Sequence, residues 1–409
     1  MTSSAPSPLS PGLVFLLAVA CGLIVANVYF AQPLIGLIAP DLGLAKTAAS
    51  LIVTSTQLGF CVGLVFLVPL GDLVENRRLV ASTVGVCAVA LALAAFAPSA
   101  VPFLAACLLV GLSSVAVQMI VPIAAHLAPD AIRGRVVGNV MSGLLTGIML
   151  ARPVAGLVAG SFGWRALFGA SALVMVVLAA VLRRRLPQRR PQADHGYAWL
   201  IASLWQLLRD SPSLRRRAAY QAAMFGAFSL YWTAVPLVLM SPRFGLDAHG
   251  VAWFSLAGAA GAISAPLAGR LADRGHTRAA TGAAMAVVLA AFALGAWGGE
   301  RRSVGLLLAA AVLLDLGVQA NMVLGQRVIY GLAAAVRSRL NALYMVIFFL
   351  GGAVGSAVAS LVFERGGWAA VSWVGSAFPL AALLFYATEA LPRAAAQGLA
   401  APAPNGDSQ

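Results

Sequence analysis

RRRLPQRRPQADHGYAWLIASLWQLLRDSPSLRRR, residues 183–217, is the stretch that decides the architecture. It is rich in arginine and proline, and on either side of it the chain runs through long apolar segments joined by short connections. A helix that crosses a bilayer needs about 20 mostly apolar residues at 1.5 Å rise. Six such segments precede the stretch, at about 12–39, 48–71, 78–97, 102–127, 137–161 and 164–183. Six follow it, at about 218–240, 250–271, 279–298, 304–330, 340–363 and 368–390. The reading is an all-α integral membrane protein with twelve transmembrane helices in two six-helix bundles, 12–183 and 218–390. Residues 1–11 and 391–409 are tails, and 184–217 is the linker. Within the linker, 197–209 is too short to span and has polar flanks, so it reads as a helix lying on the membrane surface.

Composition supports this. The chain has 409 residues, 61% hydrophobic and 10% charged, with a formal net charge of +14 and a mean hydropathy of +0.91. A soluble chain has roughly a quarter of its residues charged, so a soluble enzyme, a secreted module and a disordered chain are all excluded. With both termini placed in the cytoplasm, 20 of the 27 basic residues fall on the cytoplasmic side. Lys46, Arg165, Arg243, Arg301, Arg302 and Arg365 fall outside, and Arg152 lies inside a span. This is the positive-inside distribution, so the charge records topology and no nucleic-acid partner is needed. Cys21, Cys61, Cys87 and Cys107 sit singly in apolar runs and read as small buried hydrophobes. Residues 1–12 lack a basic start and are not a cleavable signal, so the first helix is retained.

The two halves repeat each other. Tyr29-Phe30, Pro40 and Gly43-Leu44 recur as Tyr231-Trp232, Pro242 and Gly245-Leu246, at an offset of 202. Asp72 after the second span corresponds to Asp273 after the eighth, and Arg133-Gly134-Arg135 to Arg337-Ser338-Arg339. Three matches in register argue for duplication of a six-helix unit.

These residues resemble the major facilitator superfamily over nearly the whole chain. That family has a G-x-L-A-D-R-x-G-R-R motif between its second and third helices. Here Gly269-Arg270-Leu271-Ala272-Asp273-Arg274-Gly275 matches it in the second half, and Gly71-Asp72-Leu73-Val74-Glu75-Asn76-Arg77-Arg78 is a variant in the first. The resemblance implies a cytoplasmic gate at Gly71, Asp72, Arg77, Arg78, Gly269, Asp273 and Arg274, with each aspartate paired to neighbouring arginines in one conformation and released in the other. Simple membrane anchoring is the alternative for these arginines. The chain looks most like the twelve-span efflux branch, of the drug:proton antiporter or sugar-efflux type, in Ala26-Asn27-Val28-Tyr29-Phe30-Ala31-Gln32-Pro33 and in the run from Arg337 to Met345. It departs in two places. Cys107-Leu108-Leu109-Val110-Gly111 lacks the fourth-helix arginine of many proton-coupled members, and Arg152-Pro153 replaces a Gly-Pro in the fifth helix.

A charged side chain in a span costs about 2.5–3.5 kcal/mol on insertion scales, so it needs a reason. Arg152 and Asp315 lie at similar depth, and they are expected to face a shared cavity and act as a proton-coupling pair. A fixed ion pair, or an arginine bonded to helix carbonyls, is the alternative. Asn27, Tyr29, Gln32, Gln118, Tyr231, Trp232, Gln319, Asn321 and Gln326 extend the expected cavity. Interhelical hydrogen bonding is the competing role for each of them. The pairs Gly59/Gly63, Gly143/Gly147, Gly156/Gly160 and Gly351/Gly355 are expected to serve sliding contacts or static packing. His126 ends the fourth helix, and His195, His249 and His276 lie in loops, so no metal site is expected. There is no P-loop, no cofactor motif, and no nucleophile with a base inside the spans. The expected function is export of a small organic solute across the bacterial cytoplasmic membrane by alternating access, as a monomer, with proton-coupled antiport. A metabolite or sugar permease working by symport or uniport is the alternative, followed by a non-transporting membrane receptor.

Overall fold

The structure is a computed structural model that describes residues 10–129, 132–191, 196–332 and 336–389. The tails at 1–9 and 390–409, and with them Arg393, lie outside the described residues, as does His195. Among the described residues every regular element is helical. Ten helices are long and apolar enough to cross a membrane. The first six spans are Pro11–Asp41, Lys46–Asp72, Asn76–Ala95, Ala100–Leu127, Arg133–Phe162 and Trp164–Arg185. The linker contains one helix, Tyr197–Asp210. Pro212–Leu239, Thr277–Glu300 and Val304–Tyr330 are the seventh, ninth and tenth spans. The eighth falls short of a continuous helix because it breaks into Ala248–Ser255, a 3-10 turn Leu256–Ala260 and Gly261–Asp273. The last element, Arg337–Ala387, holds the eleventh and twelfth spans, divided at Gly366 and Gly367.

The duplication is written into the backbone. Gly43 and Gly245, paired by the sequence repeat, both take left-handed φ values, 66° and 67°. Gly163 and Gly367, between the fifth and sixth and between the eleventh and twelfth spans, do the same at 84° and 60°. Each is followed by a buried tryptophan, Trp164 and Trp368. This glycine-tryptophan correspondence is a fourth match that the sequence reading missed. The paired arginines also do equivalent work. Arg133 Nε donates to Ala125 O at 3.0 Å, and Arg337 Nε to Tyr330 O at 3.1 Å. Each caps carbonyls at the end of the preceding span, where positive charge is favoured.

Three of the four small-residue pairs hold helices together inside one half, which fits the static-packing alternative. A Cβ on Gly59 would sit 1.9 Å from Leu108 O, on Gly147 2.2 Å from Gly22 O, and on Gly355 2.0 Å from Gly226 O. Those crossings join the second to the fourth span, the fifth to the first, and the eleventh to the seventh. Only Gly156 and Gly160 face the other half, where a Cβ would meet Ala252 Cβ at 2.6 Å and His249 Cε1 at 2.7 Å.

The halves meet along one face of the second span. Ser50, Thr54, Gln57 and Cys61 recur at helical spacing, so they share that face. Thr54 Oγ1 and Ser356 Oγ lie 2.9 Å apart, Gln57 Nε2 donates to Ser229 Oγ at 2.9 Å, and Ser50 Oγ to Ala357 O at 3.4 Å. Cys61 Sγ reaches Val346 O at 3.7 Å, beside Phe60 packed on Phe349 with centroids 4.3 Å apart. Beyond this seam the halves part to form a cavity.

Candidate functional site

The cavity has a volume of about 550 Å³ and takes its walls from both halves. Its mouth is at Tyr330, Arg337 and Asn341, next to the arginine-rich loops, and Arg152 and Asp315 line it as well. The fifth span contributes Arg152, only 3% exposed, and the tenth Asp315, also 3% exposed. Between them stands Trp232 of the seventh span. Its indole Nε1 donates to Asp315 Oδ1 at 2.8 Å, while the ring face lies 4.5 Å from Arg152 Cζ. Phe228 and Tyr29 present two further faces to the guanidinium, at 5.0 and 5.2 Å. Such contacts let a desolvated cation be held by rings, each contributing about 0.5–2 kcal/mol. Arg152 Nε also donates to Gln32 Oε1 at 2.8 Å, and Gln32 Nε2 to Thr233 Oγ1 at 3.3 Å.

Among the described residues no ion pair joins Arg152 to Asp315, and Trp232 stands between them touching both. A Cβ placed on Gly258 would lie 3.0 Å from Asp315 Oδ2 and 3.2 Å from Arg152 Nη1. The 3-10 break in the eighth span brings this glycine backbone against both groups. Only a residue without a side chain leaves the space between them open. Arg152 Nη2 finds no hydrogen-bond partner among the described residues.

The other expected cavity residues divide. Tyr29, Gln118, Gln319 and Gln326 line the cavity, and Gln326 Nε2 reaches Asn341 Oδ1 at 3.3 Å near the mouth. Gln32 and Trp232 touch Arg152 from behind the wall. Asn27, Tyr231 and Asn321 turn away into the bundles. Asn27 Nδ2 donates to Leu23 O and Ile24 O of its own helix. Tyr231 OH donates to Leu307 O at 2.6 Å, and Asn321 Nδ2 to Gln221 Oε1 at 2.6 Å. These three serve packing, because a buried amide or phenol takes the nearest available partner. The sequence reading passed over Gly258, Asn341 and the Gln57 seam. Gly258 carried no signal, since its value depends on what lies across from it. The fourth-span segment from Cys107 to Gly111 backs onto the second span, where a Cβ on Gly111 would lie 1.9 Å from Thr56 O.

The gate residues pair differently from the expectation. Arg77 and Arg78 lie 3.6 and 3.2 Å from Glu75, not on Asp72. Asp72, Gly71, Arg189 of the linker and Arg339 of the eleventh span line a second, smaller pocket. Asp273 pairs with Arg327 at the end of the tenth span. Gly269 borders open space, and Arg274 is exposed. Asp273 thus reaches across to the tenth span, and Asp72 faces a pocket shared with Arg189 and Arg339 rather than the arginines beside it in sequence.

The family model of the Major Facilitator Superfamily matches residues 14–299 and 218–405. The putative uncharacterized transporter YgaY of Escherichia coli (strain K12) is 40% identical over 378 residues, covering 92% of this chain and 95% of that protein. The probable transporter SCO4007 of Streptomyces coelicolor is 36% identical, covering 89% and 84%. Among solved structures, a mutant of the nucleoside transporter NupG aligns with a TM-score of 0.75 at 13% identity, over 92% of this chain and 99% of that one. A bacterial homolog of the human lysosomal transporter Spinster, inward-facing and occupied, aligns with a TM-score of 0.73 at 12% identity, over 93% and 96%. At these identities the structural likeness establishes the fold alone.

Proposed function

The chain belongs to the Major Facilitator Superfamily and is a multi-pass membrane transporter, and from that premise we propose that it exports a small organic solute by proton-coupled alternating access. The observation that carries this reading is the meeting of Arg152 and Gln32 from one half with Trp232 and Asp315 from the other, along a cavity between the halves. Rocking the halves apart at the seam would change which groups surround Asp315. A carboxylate whose neighbours differ between two states can take up a proton in one and release it in the other. Export is supported by the cavity opening at the arginine-rich end, which the positive-inside rule makes cytoplasmic, and by its mainly apolar walls. In this reading the protein sits in the bacterial cytoplasmic membrane with both termini inside. Asp72 with Arg189 and Arg339, and Asp273 with Arg327, form the cytoplasmic gate.

Antiport is the leading arrangement. Symport gains from one observation: Arg152 Nη2 and Asp315 Oδ2 are both without hydrogen bonds from the described residues, so a solute and a proton can be held together. Flux in proteoliposomes under pH gradients of both polarities separates the two arrangements. Asp315→Asn is expected to keep counterflow and lose its response to the gradient. Unchanged gradient-driven flux in that variant would sink the coupling, and no counterflow of any solute by the wild type would sink transport.

A further inference from the structure

The edges of the Arg152 guanidinium are assigned one by one. Nε is taken by Gln32, and Nη1 lies beside Gly258, whose backbone also borders Asp315 Oδ2. Nη2 is buried and finds no acceptor among the described residues. Tyr29, Phe228 and Trp232 satisfy the charge from their faces, but a ring face is a poor substitute for an oxygen in the guanidinium plane. A planar fork of donors with one edge unused is matched by a carboxylate, which accepts in that plane and carries the complementary charge. Arg152 lines the cavity while its Nη2 is shielded from it, so a rocking of the halves that uncovers Nη2 would let the missing acceptor arrive with the solute.

We propose, resting on the transporter reading above, that the solute is an amphipathic organic acid: its carboxylate sits on Arg152 Nη2 and its apolar body lies along Met141, Leu144, Ile148, Met149, Phe348 and Phe349. Those six side chains line the cavity, and its volume of about 550 Å³ suits a small organic molecule. The charged groups of the lining are Arg152, Asp315 and Arg337, formally one net positive charge. A cationic solute would meet two guanidinium groups, Arg152 and Arg337, against the single carboxylate of Asp315, whose Oδ1 already accepts from Trp232. A polyol would leave unmatched the apolar side chains that make up most of these walls. The acid and the proton occupy different seats, Nη2 of Arg152 and Oδ2 of Asp315, so this inference concerns the solute's class and not the direction of coupling.

The test uses the full-length protein purified in detergent and three probes with the same ring and chain: phenylbutyrate, phenylbutyramide and phenylbutylamine. Binding is read from tryptophan fluorescence, with Trp232 beside the seat. Wild type is expected to bind the carboxylate at least about tenfold more tightly than the amide, with the amine weakest. Arg152→Gln is expected to bring the carboxylate down to the level of the amide. The wild-type series stands without the variant should Arg152→Gln fail to fold. The proposal is overturned if amide or amine equals the carboxylate in wild type, if Arg152→Gln keeps the preference, or if the carboxylate does not bind at about 10 mM, where even a millimolar site fills. Counterflow with labelled phenylbutyrate separates the two claims. A carboxylate preference without counterflow supports the acid seat and removes the transporter reading. Counterflow of a solute with no acidic group, without a carboxylate preference, keeps transport and overturns the acid seat.

Discussion

Trp232 uses one side chain for two jobs, its face for Arg152 and its edge for Asp315. The jobs separate in Trp232→Phe, which keeps an aromatic face and loses the N–H. A hydrogen bond to a charged group contributes about 1.5–3 kcal/mol, so gradient-driven flux in that variant is expected to fall about tenfold or more. Counterflow should fall less, because it needs no proton carrier; an equal fall in both would assign Trp232 to packing alone. Asn321 makes the opposite case. Asn321→Leu leaves Gln221 Oε1 without its donor, which costs about 1–3 kcal/mol in stability. Thermal unfolding should shift down by several degrees while probe binding is unchanged. The sequence made both residues candidates for the same cavity and could not divide them. Neighbours such as Tyr231 and Trp232 point about 100° apart on a helix, so one entered the site and the other the bundle core. Arg152 and Asp315 were legible for the reason that Asn27 was not. A charge in a span must find a specific environment, whereas an amide can bond to the carbonyls of its own helix.

At the level of elements, spans and their repeat could be read because length, hydropathy and recurring glycines are local properties. Which helices touch was not local, and so the glycine pairs stayed open between sliding contacts and static packing. The difference has a measurable consequence. Gly147→Val drives side-chain carbons into Gly22 O inside the first half, and overpacking of this kind costs about 1–3 kcal/mol or more. It should lower expression and thermal stability. Gly160→Val instead crowds His249 of the other half, so it should leave each bundle intact and open the outer contact, widening the distance between spin labels on the outer ends of the fifth and eighth spans. The second-span seam allows a sharper test. Thr54 and Ser356 have hydroxyls 2.9 Å apart, so the double variant Thr54→Cys, Ser356→Cys should form a disulfide under mild oxidation. That bond closes the outer side and should stop counterflow, and reduction should restore it. Full counterflow in the oxidised protein would mean the seam does not open during transport.

For the whole molecule, the sequence carries the topology in its arginines but cannot carry the conformation. One set of residues encodes two arrangements of the same halves, separated by a few kcal/mol. That the cavity opens beside Arg337 and closes at Ser356 is therefore knowledge only the structure adds. Orientation and access can be tested together, because all four native cysteines are buried and give little background labelling. Ser338→Cys places a thiol on the cavity wall near the mouth. It should react with an impermeant maleimide in inside-out vesicles and stay unreacted in intact cells, as a cytoplasmic arginine-rich side requires. Ser356→Cys is buried in the closed seam, and it should react slowly, and only from the outside. A solute that drives turnover populates the other conformation, so it should speed the second reaction and slow the first. Reaction of Ser338→Cys from outside intact cells would invert the orientation. Labelling of Ser356→Cys that ignores a transported solute would show that the seam and the cavity do not alternate.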